Sequence, residues 1–188
     1  DPRAAAIGAV NTVVNRDGRL TGYNTDIDGL IYLAKRAGVD MAGKKVVILG
    51  SGGTSRTARA AAEALGAARV AVVSRRGEDN YENLSRHADA KVLINTTPVG
   101  MYPNCGVCPV PLDSFPGLEG VLEVVYNPLR IALLLEAEAR GIPSSCGLPM
   151  LAAQARRAAE LFTGGSIPDS RLEEVLTDLT GQMENVVL

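Results

Sequence analysis

The sequence has no apolar run of ~18 residues, which excludes a helix long enough to span a membrane. It has no charge excess either: 19 Lys and Arg stand against 21 Asp and Glu, a net charge of −2. No general attraction to nucleic acid or to an anionic membrane surface is expected from that balance. Three cysteines in 188 residues make no disulfide framework and agree with a cytoplasmic protein. With a single histidine, a metal site would have few ligands to draw on, and none is expected. The opening DPRAAAIGAVNT lacks the basic and apolar regions of a signal peptide. It enters a strand-like segment at once, with no element expected before it, which suggests a piece of something longer.

What is present is 46% hydrophobic and 21% charged, enough to bury one core with additional elements around it. Continuous apolar runs at Lys45–Leu49, Val70–Val73, Val92–Ile94 and Val121–Val125, and a weaker one at Ile142–Cys146, predict strands. Helix-like stretches fall between them, at Thr54–Leu65, Tyr81–His87 and Ile131–Arg140. Strands that are apolar throughout, not alternating, belong to a parallel sheet covered on both faces. The expectation is therefore an α/β fold, Rossmann-like and doubly wound, mainly parallel, with helices on both faces. Ahead of it, Ala9–Asn24 reads as a hairpin turning at Asp17-Gly18, and Asp26–Ala37 as an amphipathic helix. Met150–Phe162 and Ser170–Met183 predict two further helices.

The first strand of the core runs into Gly50-Ser51-Gly52-Gly53-Thr54-Ser55 and then a helix. Glycines let a backbone approach a phosphate closely, and a helix start offers it free N–H groups and a positive dipole end. The pattern departs from G-x-G-x-x-G by a serine, Ser55, at the third position, where a small side chain still allows close helix–strand packing. A ligand-free βα turn is the plain alternative. At the end of the second core strand, where an NAD site wants a carboxylate, the chain has Ser74-Arg75-Arg76. Two guanidiniums suit a 2′-phosphate, so NADP is expected over NAD; the alternative is a pair of solvated surface charges.

Six stretches then occur in order: GAVNT (8–12), GYNTDIDG (22–29), LGSGGTSR (49–56), INTTPVGM (94–101), VVYNPL (124–129) and GLPMLAAQA (147–155). Together they make the chain resemble the shikimate dehydrogenase family, over residues 6–164. The resemblance implies reversible, NADP-dependent reduction of 3-dehydroshikimate to shikimate. It implies that Asn11, Thr25, Asp26 and Gln154 contact the substrate, with Tyr126 nearby, and that Asp26 is half of a catalytic Lys–Asp pair. It implies that Gly50, Ser51, Gly52, Gly53 and Thr54, with Ser74, Arg75 and Arg76, hold NADP. Thr97, Val99 and Met101 would line the cofactor, and Val124 and Gly147 would approach its nicotinamide end. Residues 1–25 would be the last hairpin of a substrate domain, 26–147 the NADP-binding domain, and 148–188 helices packing back toward the substrate domain.

Amide and hydroxyl side chains suit a polyhydroxylated ring, and hydride transfer at a ketone needs a proton donor at its oxygen. The family's lysine lies upstream of GAVNT. The chain's four lysines, Lys35, Lys44, Lys45 and Lys91, all lie elsewhere. The chain is accordingly expected to bind NADP without turning over shikimate by itself, and to associate as a homodimer through apolar surface left uncovered. An NAD-using quinate/shikimate enzyme and a non-catalytic nucleotide-binding module are the alternatives. Smaller departures are Ser74-Arg75-Arg76 for Asn-Arg-Thr, Ile131 for a Thr, and Glu123 for an Asp. Cys105 and Cys108 form a lone C-x-x-C in a proline-rich loop, read as incidental. His87, Arg156 and Arg157 are expected on the surface, and Asp28 is a competitor of Asp26 for the catalytic role.

Overall fold

A computed structural model describes residues 1–184. Helix α1 (Pro2–Ile7) opens it, with the Asp1 carboxylate accepting from the N–H groups of Arg3 and Ala4. This element has no counterpart in the expectation of a chain that starts directly in a strand. Six residues with two buried side chains, Ala4 and Ile7, leave too short a pattern to read from sequence. The hairpin follows as β1 (Thr12–Arg16) and β2 (Arg19–Tyr23). Its turn places Asp17 and Gly18 at φ 52° and 83°, the left-handed pair that Asp-Gly accommodates. Helix α2 (Asp26–Arg36) leads into the core.

The core sheet is wholly parallel. Strands β3 (Lys45–Leu49), β4 (Arg69–Val73), β5 (Val92–Asn95), β6 (Gly120–Glu123) and β7 (Ser144–Ser145) lie in the order β4-β3-β5-β6-β7. Helices α3 (Gly53–Ala64), α4 (Ala132–Ala139), α5 (Leu148–Thr163) and α6 (Asp169–Glu184) complete the fold. Alternate residues of β3 serve opposite faces. Val46 and Ile48 pack with Leu30 and Leu33 of α2 and Ala58 and Ala61 of α3. Val47 and Leu49 pack with Leu133, Leu134 and Ala137 of α4 and with Phe115. Both faces are covered, so both sets are apolar and the strand reads as one unbroken run.

Two further elements and one residue depart from expectation. Tyr81–His87 contributes only a 3-10 turn, Leu84–His87. The last strand shrinks to Ser144–Ser145 at the sheet edge. His87 is buried at 2% exposure, with Nε2 3.0 Å from Asp79 Oδ1. The polar run around it suggested a solvated loop, but Tyr81 and Leu84 of that segment pack against the core and the imidazole is taken inside. No helix among the described residues is long and apolar enough to cross a membrane.

Candidate active site

In this strand order the chain leaves β3 for β4 on one side and reaches β5 on the other. The break between β3 and β5 is a topological switch point, and the crevice outside the carboxyl ends of those strands is where open α/β sheets take ligands. Gly50 sits on its wall at φ 101°. A Cβ there would lie 2.9 Å from Thr96 Oγ1 and 3.0 Å from Thr97 Cγ2, so the loops after β3 and β5 touch because residue 50 has no side chain. Thr96 Oγ1 donates to Leu49 O at 2.6 Å and locks the two loops together. Over Gly52 and Gly53 the case is the reverse. Nothing lies within 4 Å of a Cβ position, so both backbones face open space at the start of α3. The first N–H groups of α3 have no acceptor within the helix. Ser55 turns inward: it is buried, and its hydroxyl donates to Gly52 O at 2.7 Å, pinning the turn from below. Residues 50–55 thus form a cradle that fits a pyrophosphate.

At the carboxyl end of β4 the Ser74–Gly77 turn is tight. Ser74 N donates to Asp79 O at 3.1 Å, and a Cβ on Gly77 would meet Asp79 O and Ser74 Oγ at 2.9 Å. Arg75 and Arg76 stand exposed on it, and neither has an ion-pair partner among the described residues. On the other flank, Gly147 N donates to Val125 O at 2.9 Å. A Cβ on Gly147 would fall 2.0 Å from Val124 O, so these two backbones meet only because residue 147 is glycine. Thr97 Oγ1 donates to Asn95 Oδ1 at 2.7 Å, and Val99 N to Thr97 Oγ1 at 3.3 Å. Met101 and Tyr126 are exposed.

A polar cluster forms where the hairpin meets α2. Asn11 Oδ1 accepts from Thr25 N at 2.9 Å, from Thr25 Oγ1 at 3.3 Å and from Thr12 Oγ1 at 3.1 Å. Asn24 Nδ2 donates to Ala9 O at 3.2 Å, and Asn24 Oδ1 accepts from Ile27 N at 3.3 Å, in the first turn of α2. Asp26 follows directly. Burial pushes its carboxyl above the ordinary carboxylate range, and the Asn11 side chain pulls the other way. Its rival Asp28 is engaged elsewhere: the Arg3 guanidinium donates to both its oxygens, at 3.0 and 3.1 Å. Helix α5 crosses α2 at Gly29, where a Cβ would be 3.3 Å from Gln154 Cβ, so Gln154 lies one turn from Asp26.

Thr12 and Asn24 lie inside GAVNT and GYNTDIDG, but the sequence reading assigns neither a role. Asn95, inside INTTPVGM, and Glu123, noted only as a departure from Asp, are given no role there, and both are fully buried. Arg156 and Arg157 are less free than expected. Arg156 pairs with Asp169 and lies over the Tyr32 ring, and Arg157 bonds Glu160 at 3.1 Å. The lysines lie away from Asp26. Lys45 pairs with Asp89, and Lys44 and Lys91 with Glu119, all at the amino ends of the core strands, while Lys35 is in the last turn of α2. No group of three or more His, Cys, Asp or Glu arranged to hold a metal occurs among the described residues.

The NADP(+)-dependent shikimate dehydrogenase of Moorella thermoacetica is 38% identical over 205 residues, covering 96% of this chain and 69% of that protein. The chain belongs to the shikimate dehydrogenase family. Shikimate dehydrogenase 1 from Peptoclostridium difficile superposes at a TM-score of 0.86 with 35% identity, over 97% of this chain and 71% of that one. Shikimate 5-dehydrogenase from Thermus thermophilus, solved in complex with NADP(H) and shikimate, gives a TM-score of 0.83 at 34% identity, over 95% and 71%. No protein-family model matches the chain. Shikimate dehydrogenase membership agrees with the doubly wound fold, and the chain spans about 70% of these relatives' length.

Proposed function

We propose that this chain holds NADP across the β3/β5 crevice and carries the Asp26 side of the site at which 3-dehydroshikimate is reversibly reduced to shikimate. The observation that carries the reading is the cradle itself: two glycine backbones open to solvent at a helix start, followed one strand later by two unpaired guanidiniums. The Gly52–Thr54 amides suit the pyrophosphate, and Arg75 and Arg76 suit a 2′-phosphate in a way no carboxylate at that position would. When bound, NADP supplies or accepts the hydride.

Asn11, Thr25 and Gln154 offer amide and hydroxyl groups to the hydroxyls of the ring. Asn11 is held in one orientation by the three donors on its Oδ1, which turns its Nδ2 toward Asp26. Asp26 is a half-buried carboxyl that no cation among the described residues compensates. A lysine ammonium beside it would lower its pKa and be held charged in return, the state needed to deliver a proton to the carbonyl oxygen. We infer that this lysine comes from a segment outside these 188 residues. On this reading residues 1–25 belong to the substrate domain and 26–147 to the nucleotide domain, while 148–184 bring Gln154 back toward the substrate. Val10, Val13 and Leu20, each more than half exposed, mark the apolar hairpin face where the substrate domain, or a second copy of the chain, would pack.

The test is to fuse the substrate domain of a relative ahead of Asp1 and assay NADP reduction with shikimate. Turnover that is lost in Asp26→Asn supports the proposal. A folded fusion that binds NADP but is inert would favour a non-catalytic nucleotide-binding module, and turnover with NAD and quinate would favour the quinate/shikimate alternative.

A further inference from the structure

Asn95 and Glu123 are the last residues of β5 and β6 and are direct partners in the parallel ladder. Neither exposes any surface. Glu123 Oε2 accepts from Asn95 Nδ2 at 2.7 Å, and its other oxygen accepts from Val125 N at 2.9 Å. The far side of the Asn95 amide is also fully used. Its Oδ1 accepts from Thr97 N at 3.1 Å and from Thr97 Oγ1 at 2.7 Å. The result is a continuous path, Val125 to Glu123 to Asn95 to Thr97 to Val99, that ties the loop after β6 to the loop after β5. A second tie, Tyr102 N to Asn127 O at 3.0 Å, joins the same loops farther out.

A carboxyl group taken out of water entirely is an expensive way to hold two strands together, since apolar side chains would do so without the desolvation cost. What the carboxyl adds is direction: two oxygens fix two donors at set angles. The donors it fixes belong to the two loops on the β5/β6 side of the switch point. With the 2′-phosphate held at the end of β4, the adenosine half of the dinucleotide lies over β3 and β4. The nicotinamide half is left to β5 and β6.

We propose that Glu123 is a positioning residue for the nicotinamide half of the dinucleotide, acting through Asn95 on residues 96–101 and directly on Val124 and Val125. The inference rests on the NADP reading above. Replacing Glu123 by Gln keeps the shape but exchanges an oxygen, which can accept whether the carboxyl is ionised or protonated, for an NH2 group that cannot. An NH2 group then faces either Asn95 Nδ2 or Val125 N, and one of the two loops loses its anchor.

The experiment compares two probes on the whole chain, NADPH and adenosine 2′,5′-bisphosphate, the latter lacking the nicotinamide half. For Glu123→Gln, NADPH affinity should fall at least about fivefold, as for a lost hydrogen bond, while the bisphosphate stays within about twofold. The emission change of NADPH on binding, which reports the nicotinamide surroundings, should shrink with it. Glu123→Asp, which keeps two acceptor oxygens, should recover most of both. Should the Gln variant not fold, Thr97→Val cuts the same path at its part-buried end, and the same split is required of it. Unchanged NADPH binding overturns the inference, and so does an equal fall for both probes, which marks Glu123 as merely structural. Wild-type protein that binds neither probe removes the NADP reading, and the inference falls with it.

Discussion

Gly29 and Met150 hold α2 and α5 at the distance of closest approach: a Cβ on Gly29 would lie 2.6 Å from Met150 O and 3.1 Å from Met150 Cγ. The obstacle is backbone and cannot swing aside. Gly29→Ala gains about 1 kcal/mol of helix propensity, and overpacking costs about 1–3 kcal/mol against it. The net expectation is a loss of stability, seen as a lower urea midpoint at unchanged m. Because Gln154 stands 3.3 Å from the same point, the substituted helix should also displace it from Asp26. A variant as stable as the wild type would mean that the helices slide freely and that Gly29 does not set the spacing.

This pair illustrates what the sequence could and could not reveal. GYNTDIDG takes its role from the family resemblance, and it could be recognised as one stretch because its neighbours in sequence are its neighbours in space: Asn24 accepts from Ile27 N in the very helix it precedes. The turn at Gly50 was legible for the same reason. Strands β3 to β6 announced themselves through unbroken apolar runs, and their expected bounds agree with the structure to within two residues. What escaped was tertiary. Glu123 and Asn95 are 28 positions apart, and only the register of β5 on β6 brings them together. His87 lies in a polar run whose composition says surface, and only the fold of that loop buries it. β7 is expected from the weak run Ile142–Cys146, but only its two serines pair, and the pairing is supplied by β6.

Arg75 and Arg76 should divide NADP from NAD. Each stands exposed on a turn held by Ser74 and Asp79, so truncation removes a charge without disturbing a core. A charge-assisted bond to a phosphate is worth about 1.5–3 kcal/mol, so Arg75→Ala should weaken NADP binding roughly tenfold to a hundredfold. NAD, with no 2′-phosphate, should be nearly unaffected. Calorimetric titration with both dinucleotides reads the ratio directly. Equal losses for the two, or none for either, would place the 2′-phosphate elsewhere.

Gly147 predicts a sharper outcome than Gly29. A Cβ on it would fall 2.0 Å from Val124 O and 2.5 Å from Val124 C, inside any tolerable contact. Gly147→Ala must push the end of β6 away from the start of α5. If the chain still folds, NADPH affinity should fall while adenosine 2′,5′-bisphosphate binds as before, since the adenosine side of the crevice is two strands away. Retained affinity for both probes would show that the β6–α5 contact plays no part in the crevice.

Glu123 also predicts how stability varies with pH. Burial raises its carboxyl to about 8, against an ordinary value near 4.5, and the bonds from Val125 and Asn95 only partly oppose the shift. Between those two values the folded chain keeps a proton that the unfolded chain has released. Stability must therefore fall as pH rises across that window, by at most about 1.4 kcal/mol per pH unit, and this dependence ends above pH 8. The opposite slope, from carboxylates held low by ion pairs such as Glu119 and Glu173, acts below the window, where those groups take up protons. Other groups that titrate within it are shared by wild type and variant and cancel in the difference. Urea unfolding of wild type and Glu123→Gln at pH 5, 6.5 and 8 isolates the one carboxyl. The wild type's advantage over the variant should be largest at pH 5 and smallest at pH 8. A difference that stays constant across the three would mean that Glu123 is ionised throughout, with its charge met by a partner inside the fold.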